Sequence, residues 1–163
     1  MTLSIIIPVF NEKNTVLALL KKVTDINLGD IKKEIILVDD GSTDGTKELL
    51  KTLEGQHKVV YHEKNQGKGA AVRTGFKNAT GDMVLIQDAD LEYDPQNYFN
   101  LMKPILDGKA DVVFGSRFMN PEFHHVSKLS HLANIVLTGF SNLLTGLKLT
   151  DMWTCHKIFK KEV

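Results

Sequence analysis

The chain has 163 residues, enough for one domain with a real hydrophobic core. Its 20 basic and 20 acidic residues cancel and no long block of one sign appears, so nothing favours a nucleic-acid partner. The one cysteine, Cys155, leaves no intrachain disulfide and no zinc-site spacing, and it fits a reducing compartment as a small apolar residue.

Met1 runs straight into a strand-like segment with no basic leader and no cleavage site, so no secretion signal is expected. Residues 5–9 and 35–38 are continuous β-branched runs of the kind buried on both faces of a parallel sheet, and 59–62, 83–87 and 111–115 look alike. Helical spacing separates them: Val16, Leu19, Leu20 and Val23, then Leu49, Leu50 and Leu53, then Val72, Phe76 and Ala79. Asn14 or Thr15 could cap the first helix and Ser42 or Thr43 the second, while Gly67 to Gly69 lead into the third. This alternation predicts an α/β fold, a mostly parallel central sheet flanked by helices, with ligands beyond the carboxyl ends of the strands. The most apolar region, 129–149, is interrupted by His131, Asn134, Thr138, Ser141, Asn142 and Thr145, too polar to span a bilayer. Leu129, Leu132, Ala133, Val136, Leu137, Phe140, Leu144 and Leu147 follow helical spacing. They predict an amphipathic helix pair, broken near Gly139 or Gly146, with its apolar face packed on the core. His124 and His125 have no third metal ligand nearby in sequence and read as exposed loop.

The run 83–87 delivers Asp88-Ala89-Asp90, followed by Leu91-Glu92-Tyr93-Asp94-Pro95. In an extended backbone Asp88 and Asp90 share a face and Ala89 points away, and a hard cation such as Mg²⁺ or Mn²⁺ would relieve their repulsion. Such a site keeps open positions for diphosphate oxygens. The alternative is a solvated acidic turn closed by Asp94-Pro95. A second strand runs into acids at Val38-Asp39-Asp40-Gly41-Ser42-Thr43-Asp44-Gly45-Thr46, where a carboxylate could accept from a base N–H or a ribose hydroxyl. The same residues equally suit an Asx-turn leading into a helix. Pro8-Val9-Phe10-Asn11-Glu12 is either a further polar loop of this edge or a plain strand-to-helix connection.

Asn65-Gln66-Gly67-Lys68-Gly69-Ala70-Ala71-Val72 opens a helix after a strand, and its glycines, Lys68 and helix start could cradle an anion. Gly67 and Gly69 also begin a dinucleotide-type G-x-G-x-x-G, with Asp88 about twenty residues on, which would suit an oxidoreductase. Val72 stands where the third glycine belongs. A Walker loop fits worse, because Gly69 follows Lys68 in place of Ser or Thr.

Taken in order, PVFNE, VDDGSTDGT, NQGKGAAVRTG, GD before a strand, and QDADLEYDP resemble the family-2 glycosyltransferases of the GT-A fold. Residues 113–118 and 149–159 are similar to the branch that glycosylates a polyprenyl phosphate, as dolichyl-phosphate mannose synthases do. The resemblance implies that Pro8, Phe10, Glu12 and one of Asp39 or Asp40 line a nucleoside pocket. Lys68, Asp88 and Ala89 then fall beside the ribose or diphosphate of the nucleotide-sugar. It makes Asp90 the metal ligand, with Glu92 and Asp88 as further ligands to Mg²⁺ or Mn²⁺. Arg117 would meet the acceptor phosphate, although its position alone also suits a surface arginine, and Asp151 matches an active-site acid. Relatives usually read TDMETCYK where this chain has Trp153 and His156.

The implied reaction is metal-dependent, inverting transfer of a sugar from a nucleotide-diphosphate sugar to a dolichyl or undecaprenyl phosphate. A phosphate monoester has a second pKa near ~6, so the acceptor is largely dianionic at neutral pH and needs no strong base. Asp151 is then an orienting or charge-positioning group, with a base role left open. The expected place is the cytoplasmic face of a membrane. Relatives continue past residue 159, so a single catalytic domain truncated at its C-terminal end is expected. Transfer to a glycan and a non-catalytic nucleotide-sugar-binding module are the alternatives, and the loops distinguish neither the sugar nor UDP from GDP.

Overall fold

In the computed structural model, which describes residues 1–119 and 128–163, the β-branched runs become strands and the amphipathic stretches between them become helices. The order is β1 (Thr2–Val9), α1 (Val16–Asp25), β2 (Lys32–Asp39), α2 (Thr46–Lys51), β3 (Lys58–Tyr61), α3 (Lys68–Asn78) and β4 (Met83–Ile86). Then follow α4 (Tyr98–Leu106), β5 (Val112–Phe114), α5 (Lys128–Thr145) and β6 (Lys157–Lys160). The described strands form one sheet in the order β3-β2-β1-β4-β6-β5. β1 pairs in parallel with both β2 and β4, whereas β6 is antiparallel to β4 and β5. β1 to β3 therefore wind one way and β4 the other. The crevice where strand order reverses opens at the carboxyl ends of β1 and β4.

Alternate residues of β1 serve two cores, because successive side chains point to opposite faces. Leu3, Ile5, Ile7 and Val9 pack with Leu19 of α1, Leu50 of α2 and Tyr98 and Met102 of α4. Ile6 joins Ile36, Val38 and Val84 under α3. The inner stripe of α3 is Ala71 and Gly75, with Ala79 just beyond its end. That stripe differs from the expected Val72 and Phe76, which are only partly buried. Small residues win because the helix lies so close to β1 that a Cβ on Gly75 would stand 2.3 Å from Cγ2 of Ile6. Gly75→Ala is accordingly expected to lower stability by about 1–2 kcal/mol, overpacking outweighing the usual helix gain. Gly69→Ala, in the same helix with nothing within 4 Å of the added methyl, should be neutral or better. Urea unfolding of the pair checks this.

Three local expectations are corrected. Helix α2 is entered through Gly45, at φ +97°, while Ser42 and Thr43 lie upstream and bond the Asn11 backbone amide and side chain respectively. The Asp44 side chain takes the Thr46 N–H in their place (2.9 Å). The expected helix pair is one helix, α5, which runs through Gly139 and ends at Gly146, whose φ of +70° and N–H to the Asn142 carbonyl (2.8 Å) close it. Its apolar face does not pack on the core: Leu129, Leu132, Val136, Phe140, Leu143 and Leu144 are exposed, and Asn134 and Thr138 are buried. No helix of the described residues is long and apolar enough to cross a membrane. His124 and His125 lie outside the described residues.

Candidate active site

A cleft of about 260 Å³ lies over the carboxyl ends of β1 and β4. The end of β1 contributes Pro8 and the loop after it Phe10 and Glu12; Asp40 follows β2 directly; the start of α3 contributes Lys68; the loop after β4 contributes Asp88, Ala89 and Asp90. Eight predicted site residues, spread over 83 positions of sequence, thus meet in one cavity. Val9, Asn65 and Ala71 complete it. Phe10 is exposed where it lines the cleft.

Asp39, the last residue of β2, and Asp40, the next, divide their work. Asp40 is almost fully buried and accepts from Gln66 N (3.0 Å), Gly67 N (2.8 Å) and the His62 ring (2.7 Å), so it ties the 65–67 loop to the sheet. Burial pushes its pKa up, but those donors outweigh it and hold the carboxyl below the usual range. Asp39 is fully buried, does not line the cleft, and leaves Oδ2 with no hydrogen-bond partner among the described residues. An orphaned buried carboxylate oxygen is rare in native proteins and is the behaviour of a group awaiting a donor. Gly41, at φ +76°, lies where a Cβ would stand 2.6 Å from the backbone of residues 64 and 65, which fixes the two loops against one another.

The acidic triplet differs from the extended arrangement expected. β4 stops at Ile86, Asp88 to Asp90 form a turn, and Leu91 adopts a left-handed φ of +67°. Gln87, fully buried, forces the turn: its amide donates to the carbonyls of Asp88 (3.0 Å) and Tyr93 (3.2 Å). Asp88 is buried and paired with Lys68 (2.5 Å), whose ammonium also reaches Cys155 Sγ (3.0 Å), while Asp90 is exposed. Burial would lower the Lys68 pKa, but Asp88 and Cys155 raise it, so the ammonium stays charged beside the cleft. Burial and then the charges of Asp90 and Asp88 raise the Glu92 pKa, so the three carboxylates share one field. Among the described residues no three acidic, histidine or cysteine side chains stand ready as a complete metal cage. The donor set is nonetheless all hard oxygen and partly exposed, which fits Mg²⁺ or Mn²⁺ held by few protein ligands and a diphosphate.

Beyond Glu92 lies a second charged cluster. Arg117 meets Asp151 through Nε (2.8 Å) and Nη2 (3.0 Å), and Asp151 is 1 % exposed. Burial pushes the Asp151 pKa up, but Arg117, Asn134 and the Arg117 N–H hold it below the usual range. A carboxylate so occupied orients its arginine and is poorly suited to take a proton. Burial lowers the Lys157 pKa, and its charge feels Cys155, Lys68, Asp151 and Asp88, which places it between the two clusters. Lys157, Asn134, Gln87 and His156 were not among the predicted site residues. Asn134 reads in sequence as an interruption of the apolar spacing of 129–149, and Lys157 lies in the 149–159 segment, where the resemblance singled out Asp151.

His156 is a departure from the TDMETCYK pattern with a clear place in the packing. It is buried between the rings of Tyr93 and Tyr98, and its Nε2 donates to Gln87 Oε1 (3.0 Å), which also accepts from the Tyr98 hydroxyl (2.9 Å). Because both Gln87 amide hydrogens go to carbonyls, Oε1 must accept, and the imidazole carries its proton on Nε2. Burial lowers its pKa to about 4. The unfolded chain protonates this ring below about pH 6.5 and the folded chain does not, so stability is full above pH 6.5 and falls as pH drops toward 4. The loss is about 3 kcal/mol in all. Asp40 and Asp151 add acid sensitivity only below the ordinary carboxylate range. His156→Gln, which keeps a donor and removes the titration, should flatten the stability curve between pH 6.5 and 4, measured by urea unfolding at stepped pH.

A doubly wound sheet with charged loops at the β1/β4 crevice and an antiparallel strand inserted beyond β4 defines the GT-A class of nucleotide-sugar transferase folds. Residues 4–163 match the sequence family described as Glycosyl transferase family 2, and the chain belongs to that family. It is 30% identical to a UDP-N-acetylglucosamine–dolichyl-phosphate N-acetylglucosaminyltransferase of Methanococcus voltae, over 96% of this chain and 68% of that protein. It is 36% identical to a dolichol-phosphate mannosyltransferase of Pyrococcus furiosus, over 73% of this chain but 34% of that protein. An undecaprenyl-phosphate 4-deoxy-4-formamido-L-arabinose transferase of Aeromonas hydrophila is 40% identical over 68% of this chain and 35% of its own length. The chain therefore spans from about a third to two thirds of these relatives. Glucosyl-3-phosphoglycerate synthase of Mycobacterium tuberculosis, solved with Mn²⁺, UDP and phosphoglyceric acid, superposes with a TM-score of 0.75 over 99% of this chain and 56% of that one, at 22% identity. That likeness shows the fold.

Proposed function

We propose that the protein transfers a sugar, with inversion and with the help of a divalent cation, from a nucleotide-diphosphate sugar to a polyprenyl phosphate. The observation that carries this reading is the pairing of two clusters, Lys68 with Asp88 at the cleft and Arg117 with Asp151 beyond Glu92. The named acceptors of the matched relatives, dolichyl and undecaprenyl phosphates, support the lipid acceptor. Asp90, with Glu92 and Asp88, would hold Mg²⁺ or Mn²⁺, which would offset the charge on the departing diphosphate. Pro8, Phe10, Glu12 and Asp40 fit a nucleoside, with Asp39 as the orphaned acceptor below them. Lys68 adds a fixed positive charge beside the diphosphate, and Ala89 keeps the wall low. Arg117, oriented by Asp151, would hold the acceptor phosphate, a dianion that attacks without a general base. An acceptor with a polyprenyl tail would place the protein at a membrane surface, and the outward apolar face of α5 supports that location.

A thermal-shift series of nucleotide-sugars with and without Mn²⁺ tests the donor side. One nucleoside-diphosphate sugar, at a hundredfold excess over its Kd, should raise the melting temperature by about 5–10 °C, and only with metal. Incubation of that donor with farnesyl phosphate then tests the acceptor side. No metal-linked shift with any donor rejects the reading. A shift without transfer or hydrolysis would make the chain a nucleotide-sugar-binding module.

A further inference from the structure

Helix α5 buries the wrong residues for a helix held by hydrophobic packing. Its leucines and Phe140 stand in solvent, while Asn134 is 2 % and Thr138 4 % exposed. Burying an amide while leucines of the same helix stay wet is unfavourable unless every polar atom is engaged. Here they are, along one stripe at positions i, i+4 and i+8. Asn142 bonds Leu149 through both backbone groups, donating to its carbonyl (2.8 Å) and accepting from its N–H (2.9 Å). Thr138 accepts the N–H of Met152 (3.1 Å) and donates to Oδ1 of Asn134 (2.8 Å). That last bond settles which way the Asn134 amide faces, and its Nδ2 donates to Oδ1 of Asp151 (2.7 Å). Asp151 in turn accepts from Arg117 at Nε, Nη2 and the backbone N–H. The donors thus converge on the Asp151 carboxylate, in series from the Met152 backbone through Thr138 and Asn134, and directly from the Arg117 guanidinium.

We propose that Asn134, backed by Thr138, is a positioning residue for Arg117. A carboxylate gripped only by Arg117 could swing with it; the amide from α5 ties Oδ1 of Asp151, the oxygen that also takes Arg117 Nη2, to a second element and so fixes the guanidinium plane. The stripe thereby makes α5, and not the short 3-10 turn that carries Arg117, the reference for the anion-binding end of the site. This rests on the reading of Arg117 as the acceptor-phosphate contact.

Calorimetry with farnesyl phosphate as probe, and separately with UDP plus Mn²⁺, separates the possibilities. Asn134→Leu, which keeps the volume and removes the donor, should weaken farnesyl phosphate three- to tenfold and leave UDP with Mn²⁺ within twofold. Thr138→Val, the gentler change, should act in the same direction by about twofold, and it carries the comparison if Asn134→Leu fails to fold. Arg117→Ala is the reference and should lose at least tenfold. Parent-like farnesyl phosphate binding by Thr138→Val and Asn134→Leu, with Arg117→Ala impaired, overturns the positioning role and leaves the acceptor reading intact. Equal loss of both ligands in the α5 variants overturns it as well, since that is general disruption. Farnesyl phosphate binding that ignores Arg117→Ala, or is missing in the parent, defeats the acceptor reading and this inference with it.

Discussion

Asp90→Asn is expected to abolish the gain in nucleoside-diphosphate affinity that Mn²⁺ confers, and to slow sugar transfer by about 10²–10³-fold, the scale of losing one charge-stabilising group. Asp90 is the exposed member of the triplet and accepts the Glu92 N–H (3.0 Å), so its carboxylate is available to a cation as Asp88, held by Lys68, is not. Calorimetry of UDP and GDP, each with and without Mn²⁺, checks this. Metal-free binding should hardly change, because Asp90 belongs to no buried network and the asparagine is isosteric. Undiminished metal-linked binding in the variant would remove Asp90 from the metal site.

The second large effect concerns stability. Asp151→Ala should lower it by about 3–5 kcal/mol, because the change strands the Arg117 charge in a largely buried setting and leaves the Asn134 amide without its acceptor. The Arg117 side chain is 15 % exposed and the Asp151 side chain 0 %, so water replaces the lost contacts only in part. Replacing both partners, Arg117→Met with Asp151→Leu, should recover most of the loss, since a buried ion pair exchanged for apolar side chains is often neutral or better. The double variant should still bind no farnesyl phosphate. Urea midpoints of the single and double variants decide the matter; a loss under 1 kcal/mol for Asp151→Ala would mean that Arg117 finds another partner.

The parallel strands and the loops at their ends were legible because strands buried on both faces write themselves as unbroken β-branched runs, and the acids follow directly. Ligand loops of such a sheet all leave from one edge, so order along the chain was enough to bring Pro8, Asp40, Lys68 and Asp88 together. Two things were not legible. The residues Lys157-Ile158-Phe159-Lys160 form the antiparallel β6, yet a four-residue stretch with lysines at both ends carries no strand pattern of its own; its partners on β4 and β5 supply it. The direction of α5 was the other. Periodicity located an apolar face but could not say whether that face meets the core, and Asn134, Thr138 and Asn142 read as interruptions when they are in fact the docking stripe. The extended picture of Asp88 and Asp90 failed because the side chain of Gln87, silent in sequence, turns the backbone one residue earlier than hydrophobicity alone suggests.

The sheet also dictates an order of assembly. β6 lies between β4 and β5, joining Val84 to Phe159 across 75 positions of chain, and β5 reaches the sheet only through it. Until the ribosome has released residue 160, the outer edge of β4 has no partner and β5 has nothing to join. The nascent chain therefore carries an open, apolar β-edge from the emergence of β4 until that of β6, a period in which chaperone shielding would matter most.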